Sequence, residues 1–551
     1  MKKYFPDRYL WILLIISFLL RLPGLFDGLP AVYNSTEYFL SKIALNYGAQ
    51  KTLDPGVYIY PTFYSYLLFL LYAVYLLAGL ILGAFSSAFD FAVQFLTNPA
   101  GFYLIARSFN LLMSLASVAI IYHFLAQYLG QRQARLGATL TAFSFYLVLY
   151  SNFATADTLL LFFSTLTTIW FYKIFRSSRK NDVFLAGVFA GLAVAAKYNA
   201  GFLVAGLFVL VIQQAREKKI PYFDSFPRAV TGVGMGFLLP NPYLLIYPQR
   251  FFDGLQLMSS QMYNAVSAER GTMFVWEIFA LATDELSLGL LFIAATIYFL
   301  IRTGKEHWPA LSVIILTYLF VGSWSKKGID YLFAAYPAWI LLSTFFLNDI
   351  IEKLKNRLPV RNLLLTMIFL PVILGTVYHS ICSFNKDTRE IATEWLIGQT
   401  ESGTSVCYDN YHIDLGVFDV ERYINYGDGA DRLPEKIKQL LEGKRSDKRQ
   451  VAFVPIMVPN PDASVREGNR FESEESRFRR LNLSELHKKG VRFLITNSWY
   501  YESYLHARTA DYSPGIQQRI IEVQTMYQQL ANDYQPVMMI KPGFWTPGPE
   551  I

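Results

Sequence analysis

The sequence predicts a polytopic α-helical membrane protein of about thirteen transmembrane helices, followed by a C-terminal α/β domain outside the membrane. Hydrophobic residues make up 53% of the 551 residues and charged residues only 17%, whereas average soluble domains carry about 25% charged residues. The apolar residues are also clustered, since the only Asp, Glu, Lys or Arg between Pro55 and Ala106 is Asp90. After Phe384 the charge density returns to normal. Disordered, collagen-like and disulfide-rich classes are therefore excluded.

Twelve apolar segments are clear candidates for membrane spans. The first, residues 9–20, ends at Arg21 and has no small-residue cleavage site, so it predicts a retained span and not a signal peptide. The other segments lie near residues 60–83, 103–127, 136–150, 158–172, 184–196, 198–215, 229–247, 286–301, 308–323, 331–348 and 362–382.

The distribution of Lys and Arg orients these spans. With a cytoplasmic N-terminus, nineteen basic residues fall in short inner loops and nine in longer outer loops before the C-terminal tail, as the positive-inside rule requires. This orientation needs one more short crossing, around residues 84–98, which brings the total to thirteen. We therefore expect a multi-pass protein of the plasma (inner) membrane with an extracytoplasmic C-terminal domain. The net charge of +7 is a topology signal and does not indicate nucleic-acid binding.

Two domains are predicted: residues 1–382, which include a first outer loop at 21–59, and residues 383–551. In that loop Phe39, Ile43 and Tyr47 recur at helical spacing, which predicts an interfacial helix. The second domain is predicted to contain helices at 387–396, 432–443 and 514–533 and short buried strands at 405–408, 451–455 and 491–497. Cys382 and Cys407 are the two cysteines; they either form a disulfide or remain two thiols.

Ionisable side chains at membrane depth are costly and point to function. In the predicted topology such groups gather at the outer face: Glu37, Asp54, Asp157, Lys197, Lys326, Lys327 and Asp330. Individually they have structural explanations, because Asp157 can cap the helix that follows it and Lys197 can extend to the interface. Together they predict an acidic and basic pocket that suits a lipid substrate with a phosphate head.

The order of motifs resembles the membrane-embedded glycosyltransferases of the GT-C class, specifically the protein O-mannosyltransferase and aminoarabinose-transferase-like family. The segments that carry the resemblance are NSTEYFLSKIALNYGAQKTLDPGVYIYPTFYSYLLF (34–69), YSNFATADTLLLFF (150–163), GVFAGLAVAAKYNA (187–200), FLLPNPYLL (237–245), DYLFAAYP (330–337) and DTREIATEWL (387–396). The resemblance implies a GT-C-like fold and a polyprenyl-phosphate-linked sugar donor taken from the surrounding membrane lipid. The acceptor is a hydroxyl of an unidentified protein, lipid or glycan.

The resemblance also implies roles for particular residues. The acceptor hydroxyl attacks the anomeric carbon, a carboxylate takes its proton, and a cation stabilises the departing phosphate. Glu37 matches the position of a base, Asp157 that of a second acid, and Lys197 that of a phosphate contact.

Further candidates for substrate binding are Tyr33, Tyr60, Tyr198, Asp54 and Asp330. The three tyrosines either line the sugar pocket or belong to the aromatic belt at the membrane interface.

The sequence departs from the family pattern at three polar positions. The first-loop Asp that usually serves as the base falls at Thr36, an Asn-Pro-His motif reads Asp54-Pro55-Gly56, and an Arg of the late span is replaced by Asp330. Either Glu37 or Asp54 has taken over as base, or the chain is a catalytically silent protein that binds lipid-linked sugar or assists assembly in envelope glycan biosynthesis.

No cofactor is certain from the sequence. A divalent cation held by Asp157 and Glu37 is the candidate, although the departures leave few hard oxygen ligands. A transporter is the third functional class considered, and it is disfavoured because matching halves, which are common in transporters, are not visible in the sequence.

Overall fold

The computed structural model describes residues 7–30, 32–177, 179–264, 274–302, 304–401, 404–408, 452–453, 457–459, 478–509 and 514–543. In the predicted membrane region, helices α1 to α18 comprise Arg8–Arg21, Ser35–Gln50, Phe63–Ile81, Ala88–Thr97, Ala100–Tyr128, Gln131–Phe143, Phe145–Ser151, Asp157–Ser177, Lys180–Ala196, Gly201–Arg216, Tyr222–Leu238, Tyr243–Ile246, Pro248–Asn264, Val275–Asp284, Ser287–Arg302, Trp308–Gly322, Tyr336–Lys353 and Leu358–Cys382. Helices α19 to α22 comprise Thr388–Gln399, Leu483–Lys488, Ser498–Leu505 and Pro514–Asp533.

The polytopic helical architecture is confirmed. Among the described residues, five helical segments are long and apolar enough to cross a membrane: Phe63–Ile81, Ala100–Tyr128, Asp157–Ser177, Tyr198–Arg216 and Leu358–Cys382. The additional crossing predicted at 84–98 corresponds to α4, which has 10 residues. At about 1.5 Å per residue it is about 15 Å long, half the thickness of a bilayer core of about 30 Å, so α4 alone does not span. The total of thirteen and the orientation of the termini stay predictions.

The predicted segment 136–150 is divided into two helices. Helix α6 ends at Phe143 and α7 begins at Phe145, because Ser144 has an extended ψ of 122°. The carboxylate of Glu285 accepts hydrogen bonds from the Ser144 hydroxyl (2.7 Å) and from the backbone N–H groups of Phe145 (3.0 Å) and Tyr146 (3.2 Å). A remote acid therefore satisfies the N–H groups at the start of α7, which the local sequence does not reveal.

Helices α9 and α11 pack with their backbones in close approach, and this packing fixes the end of α9 that precedes Lys197. A Cβ added at Gly191 would lie 2.4 Å from the carbonyl oxygen of Val233, and one at Gly236 would lie 2.2 Å from that of Val188. Glycines four residues apart on each helix provide this approach, as in other small-residue membrane interfaces.

The C-terminal part contains the predicted mixture of helices and strands. Strands β1 to β5 comprise Ser405–Tyr408, Ala452–Phe453, Met457–Pro459, Phe478–Arg480 and Phe493–Ile495. Strand β1 lies between β2 and β5 in a parallel sheet, while β3 and β4 form an antiparallel pair. Helices α19 and α22 match the predictions at 387–396 and 514–533, whereas the helix predicted at 432–443 lies outside the described residues.

Two groups of buried apolar residues accompany this sheet, separate from the large core of the membrane helices. Cys382 lies at the end of α18 and Cys407 on β1; both thiols are buried and no disulfide joins them. The domain boundary at 382/383 stays a prediction.

Candidate functional site

Three charged side chains from three distant parts of the chain meet in one ion cluster, here called the triad. The ammonium of Lys197 lies 2.6 Å from Oδ1 of Asp157 and 2.7 Å from Oδ2 of Asp330. The side chains are 14%, 8% and 17% exposed, respectively. All three residues are site candidates predicted from the sequence, and the fold brings them together.

The triad is built where helices begin and end. Asp157 is the first residue of α8, Lys197 follows the last residue of α9, and Asp330 lies in a short 3₁₀ turn, Ile329–Leu332, before α17. At such ends the backbone leaves the helix, so charged side chains can converge without interrupting helical hydrogen bonds.

Neighbouring hydroxyls and a ring complete the surroundings of the triad. Thr155 donates to Oδ2 of Asp157 at 2.8 Å, and Tyr150 donates to Oδ1 of Asp330 at 3.3 Å. The ammonium of Lys197 also lies 5.0 Å from the centre of the Tyr331 ring, within the range of a cation–π interaction. Each carboxylate oxygen is thus engaged by one partner.

Glu37 lies in a separate, fully buried ion pair. Its two oxygens accept from Nε (2.8 Å) and Nη2 (3.0 Å) of Arg107, and Oε2 also accepts from the backbone N–H of Ala154 at 2.7 Å. The side chains are 0% and 2% exposed. A carboxylate held by three donors and shielded from solvent is poorly suited to take a proton from a substrate.

This ion pair nevertheless bears on the site, because it holds the turn that carries Asp157. Besides the bond from Ala154 to Glu37, Asn110 donates to the carbonyls of Phe153 (2.6 Å) and Thr155 (2.8 Å). Helices α2 and α5 therefore fix the backbone immediately before Asp157.

Asp54, the other predicted base, also lies in an ion pair apart from the triad. Its Oδ2 is 2.9 Å from Arg250, and its Oδ1 accepts from the Tyr58 hydroxyl and the Gly56 N–H at 2.9 Å each. These contacts close the turn of the first loop against α13.

The three tyrosines predicted to line the sugar pocket lie in different surroundings. Tyr60 packs against Phe39 of α2, with the ring centres 5.9 Å apart. Tyr198 instead donates to the carbonyl of Tyr58 at 3.3 Å.

Tyr33, in the first outer loop, contacts the beginning of the second predicted domain. The guanidinium of Arg389 stacks 3.9 Å from the centre of the Tyr33 ring, and Arg389 is in turn paired with Asp387 at 2.7 Å. Tyr33 therefore joins the first loop to α19.

Sequence reasoning missed Arg107, Tyr150, Thr155 and Tyr331 as site-forming residues. Arg107 is the one charged residue within α5, and a lone arginine in an apolar helix signals a buried partner. The contacts of the other three depend on how distant turns meet, which no local pattern encodes.

The predicted metal ligands are not grouped as a metal site within the described part of the chain. Among the residues that the structure describes, no three His, Cys, Asp or Glu side chains are grouped so that they could hold a metal ion. Glu37 and Asp157, the predicted ligands, are already paired with Arg107 and Lys197.

The chain is similar to known glycosyltransferases in its central part. Residues 100–240 match the family described as dolichyl-phosphate-mannose-protein mannosyltransferase, and over these residues the resemblance to GT-C membrane glycosyltransferases is confirmed. An uncharacterized protein of Aquifex aeolicus is 25% identical over 281 residues, which cover 50% of this chain and 54% of that protein. The chain thus spans about half the length of this curated relative.

Solved structures of similar architecture include an oligosaccharyltransferase and ArnT. The oligosaccharyltransferase of Archaeoglobus fulgidus in the apo form is 13% identical, with a TM-score of 0.46 over 82% of this chain and 69% of that chain. ArnT from Cupriavidus metallidurans bound to undecaprenyl phosphate is 12% identical, with a TM-score of 0.45 over 81% of this chain and 88% of that chain.

Proposed function

We propose that the chain is a glycosyltransferase that moves a sugar from a polyprenyl-phosphate carrier to an acceptor hydroxyl, and that the triad is its reaction centre. The observation that carries the proposal is the contact of one lysine, Lys197, with two carboxylates of limited exposure, Asp157 and Asp330. The match of residues 100–240 to a family named for a lipid-phosphate-linked sugar donor supports the choice of donor.

Asp330 is our candidate for the general base. It is the more exposed of the two acids, at 17% against 8% for Asp157, so an acceptor hydroxyl can reach it more easily. The acceptor oxygen forms a bond to the anomeric carbon as the bond from that carbon to the phosphate oxygen breaks, and Asp330 takes the hydroxyl proton. This assignment replaces Glu37, which is fully buried and held by three donors, and Asp54, which is paired with Arg250 apart from the triad.

Lys197 and Asp157 have complementary roles in this proposal. An ammonium has three N–H donors, and two of those of Lys197 are directed to carboxylates. The third is available for an oxygen of the carrier phosphate, on which negative charge develops as the sugar leaves. Asp157 holds Lys197 in position.

A catalytically silent sugar-lipid-binding protein is the alternative, and one observation favours it. Thr36 stands where the resembled family has its acid, and a threonine hydroxyl does not act as a base at neutral pH. Such a protein would bind the carrier without turnover.

The test measures transfer from a radiolabelled polyprenyl-phosphate sugar by the full chain in nanodiscs. We expect Asp330→Asn to lower kcat by about 10²-fold or more, the usual contribution of a general base. Asp349→Asn is the matched control, because Asp349 is paired with Arg302 at 3.1 Å outside the triad, and it should stay within about twofold. Full turnover by Asp330→Asn would refute the base assignment, and carrier binding without turnover by the unmodified chain would establish the silent alternative.

A further inference from the structure

The turn that carries Asp330 is fastened by two contacts that the roles above leave unused. The first involves Lys327, three residues before Asp330 in the chain. Its ammonium lies 2.8 Å from Glu277 of α14, in an ion pair whose side chains are 2% and 0% exposed, and it also donates to the carbonyl of Gly322 at 3.2 Å. The chain before Asp330 is therefore anchored to α14 by groups outside the triad.

The second contact comes from Asn199, which holds the chain directly after Asp330. The side-chain amide of Asn199 donates from Nδ2 to the backbone carbonyl of Tyr331 at 2.8 Å. Asn199 follows Lys197 by two residues, and Tyr331 directly follows Asp330. The same two segments of the chain are thus joined twice, once by the ion pair between Lys197 and Asp330 at 2.7 Å and once by this hydrogen bond.

The local structure explains why Asn199 can reach this carbonyl. Helix α9 ends at Ala196, and Lys197 has an extended backbone, with φ −154° and ψ 130°. A short 3₁₀ turn, Tyr198–Ala200, then precedes α10, and Asp330 likewise lies in a 3₁₀ turn before α17. The ion pair and the hydrogen bond both connect such interruptions between helices, where side chains from distant segments can converge without breaking helical hydrogen bonds.

The proposed reaction changes the charges of the ion pair but leaves the hydrogen bond unchanged. When Asp330 takes the acceptor proton it becomes neutral, so its Coulomb attraction to Lys197 disappears. At the same stage Lys197 is drawn to the charge that develops on the departing phosphate. The bond from Asn199 to Tyr331 joins two uncharged groups and persists through this step. It therefore keeps Asp330 in place when the ion pair cannot.

We propose that Asn199 is a positioning residue for Asp330, which holds the turn of the base against the segment of Lys197 throughout the reaction. This inference rests on the proposed function for the role of Asp330 as base. Asn199 acts through Asp330 and does not itself touch the reacting atoms. Displacement of a reacting group by about 1 Å can cost about 10²-fold in rate, so a hydrogen bond that fixes this turn has a measurable effect on kcat.

A double-mutant cycle with Asp330 tests this proposal in the transfer assay with the full chain in nanodiscs. Asn199→Leu keeps the size of the side chain but removes the N–H donor, and we expect it to lower kcat about tenfold with the KM for the sugar donor unchanged. Asn199→Gln keeps the amide and should retain more activity than Asn199→Leu. In an Asp330→Asn background, Asn199→Leu should cause no further loss, because the residue that it positions no longer takes the proton.

The matched control is Asn348→Leu. Asn348 is half-buried, as Asn199 is, and its side chain accepts a hydrogen bond from the amide of Gln133 at 2.6 Å. It lies near the end of α17 that is remote from Asp330. The kcat of Asn348→Leu should therefore stay within about twofold of the unmodified value.

Hydrogen exchange gives a readout that does not require turnover. The backbone N–H of Phe333 donates to the carbonyl of Asp330 at 3.3 Å, so a loosened turn exchanges its amide hydrogens faster. We expect the peptide that covers residues 329–335 to exchange about fivefold faster in Asn199→Leu, the factor that loss of one hydrogen bond supplies. In Asn348→Leu the same peptide should exchange at the unmodified rate.

Two results would overturn the proposal. Unchanged exchange in Asn199→Leu would show that Asn199 does not hold the turn. Losses of kcat that multiply in the double variant would show that Asn199 supports the fold in general and does not act through Asp330. Faster exchange in a chain that performs no transfer would uphold the hold of Asn199 on the turn while refuting the proposed function.

Discussion

Replacement of Glu37 by Gln separates a structural role for this residue from a catalytic one. The carboxylate receives two N–H bonds from Arg107 and one from Ala154, at 2.7–3.0 Å, with no more than 2% exposure on either side of the ion pair. A glutamine keeps one acceptor oxygen but turns an NH₂ group toward the guanidinium. The result is a buried cation without its counter-charge.

The expected cost follows from that geometry. Removal of one partner of a buried ion pair typically costs about 3–5 kcal/mol, which for a chain of 551 residues corresponds to a loss of about 3–4 °C in apparent Tm. The matched control is Glu394→Gln, because Glu394 pairs with Lys386 at the surface, with the side chains 56% and 53% exposed. Such a pair contributes at most about 1 kcal/mol.

The assay is thermal unfolding in detergent at a fixed scan rate, since unfolding of a large membrane protein is commonly irreversible. In addition, the double variant Glu37→Gln/Arg107→Met should recover part of the loss, because it removes the uncompensated charge. We expect Glu37→Gln to retain measurable transfer below its melting range. If Glu37→Gln melts with the unmodified protein yet has no transfer activity, the structural assignment is wrong and Glu37 is the base.

Three further predictions concern packing, pH dependence and the second rejected base. Gly191→Ala should destabilise the protein by about 1–3 kcal/mol through overpacking against α11. The control Gly234→Ala, where a Cβ meets nothing within 4 Å, should be neutral or stabilising. Equal melting temperatures of the two variants would contradict the close approach of α9 and α11. Burial raises the pKa of Asp27 from 3.8 to about 6, so the folded state binds the proton more tightly than the unfolded state. The free energy of unfolding should therefore fall as pH rises from about 4 to about 6, by at most about 3 kcal/mol. The variant Asp27→Asn should lose this dependence in melting curves recorded across that range, and an unchanged curve would argue against burial as its cause. Asp54→Asn breaks a half-exposed pair with Arg250 and should cost at most about 1 kcal/mol with transfer retained; abolished transfer in a stable Asp54→Asn protein would restore Asp54 as a base.

The sequence was sufficient for the class of fold and for the members of the triad. Long apolar segments are visible in the composition of the chain, so the membrane helices were predictable. Helix α22 was also predicted, at 514–533. Asp157, Lys197 and Asp330 were identifiable because ionisable groups at the ends of apolar segments are rare and costly.

The pairing of those groups could not be predicted in the same way. Glu37 and Asp54 have the same local features as Asp157, and only the fold assigns Arg107 to one and Arg250 to the other. Likewise the division between α6 and α7 depends on Glu285, about 140 residues away along the chain. Contacts of this kind depend on tertiary geometry, and the charge pattern along the sequence does not specify which groups pair.

The most direct test of the central claim is a structure of the full chain with a non-transferable polyprenyl-phosphate sugar analogue. The phosphate should lie within hydrogen-bond distance, about 3 Å, of the ammonium group of Lys197, with the anomeric carbon on the side of Asp330. A phosphate bound elsewhere, with Lys197 still enclosed by Asp157 and Asp330 and no sugar beside them, would contradict the assignment of the triad as the reaction centre.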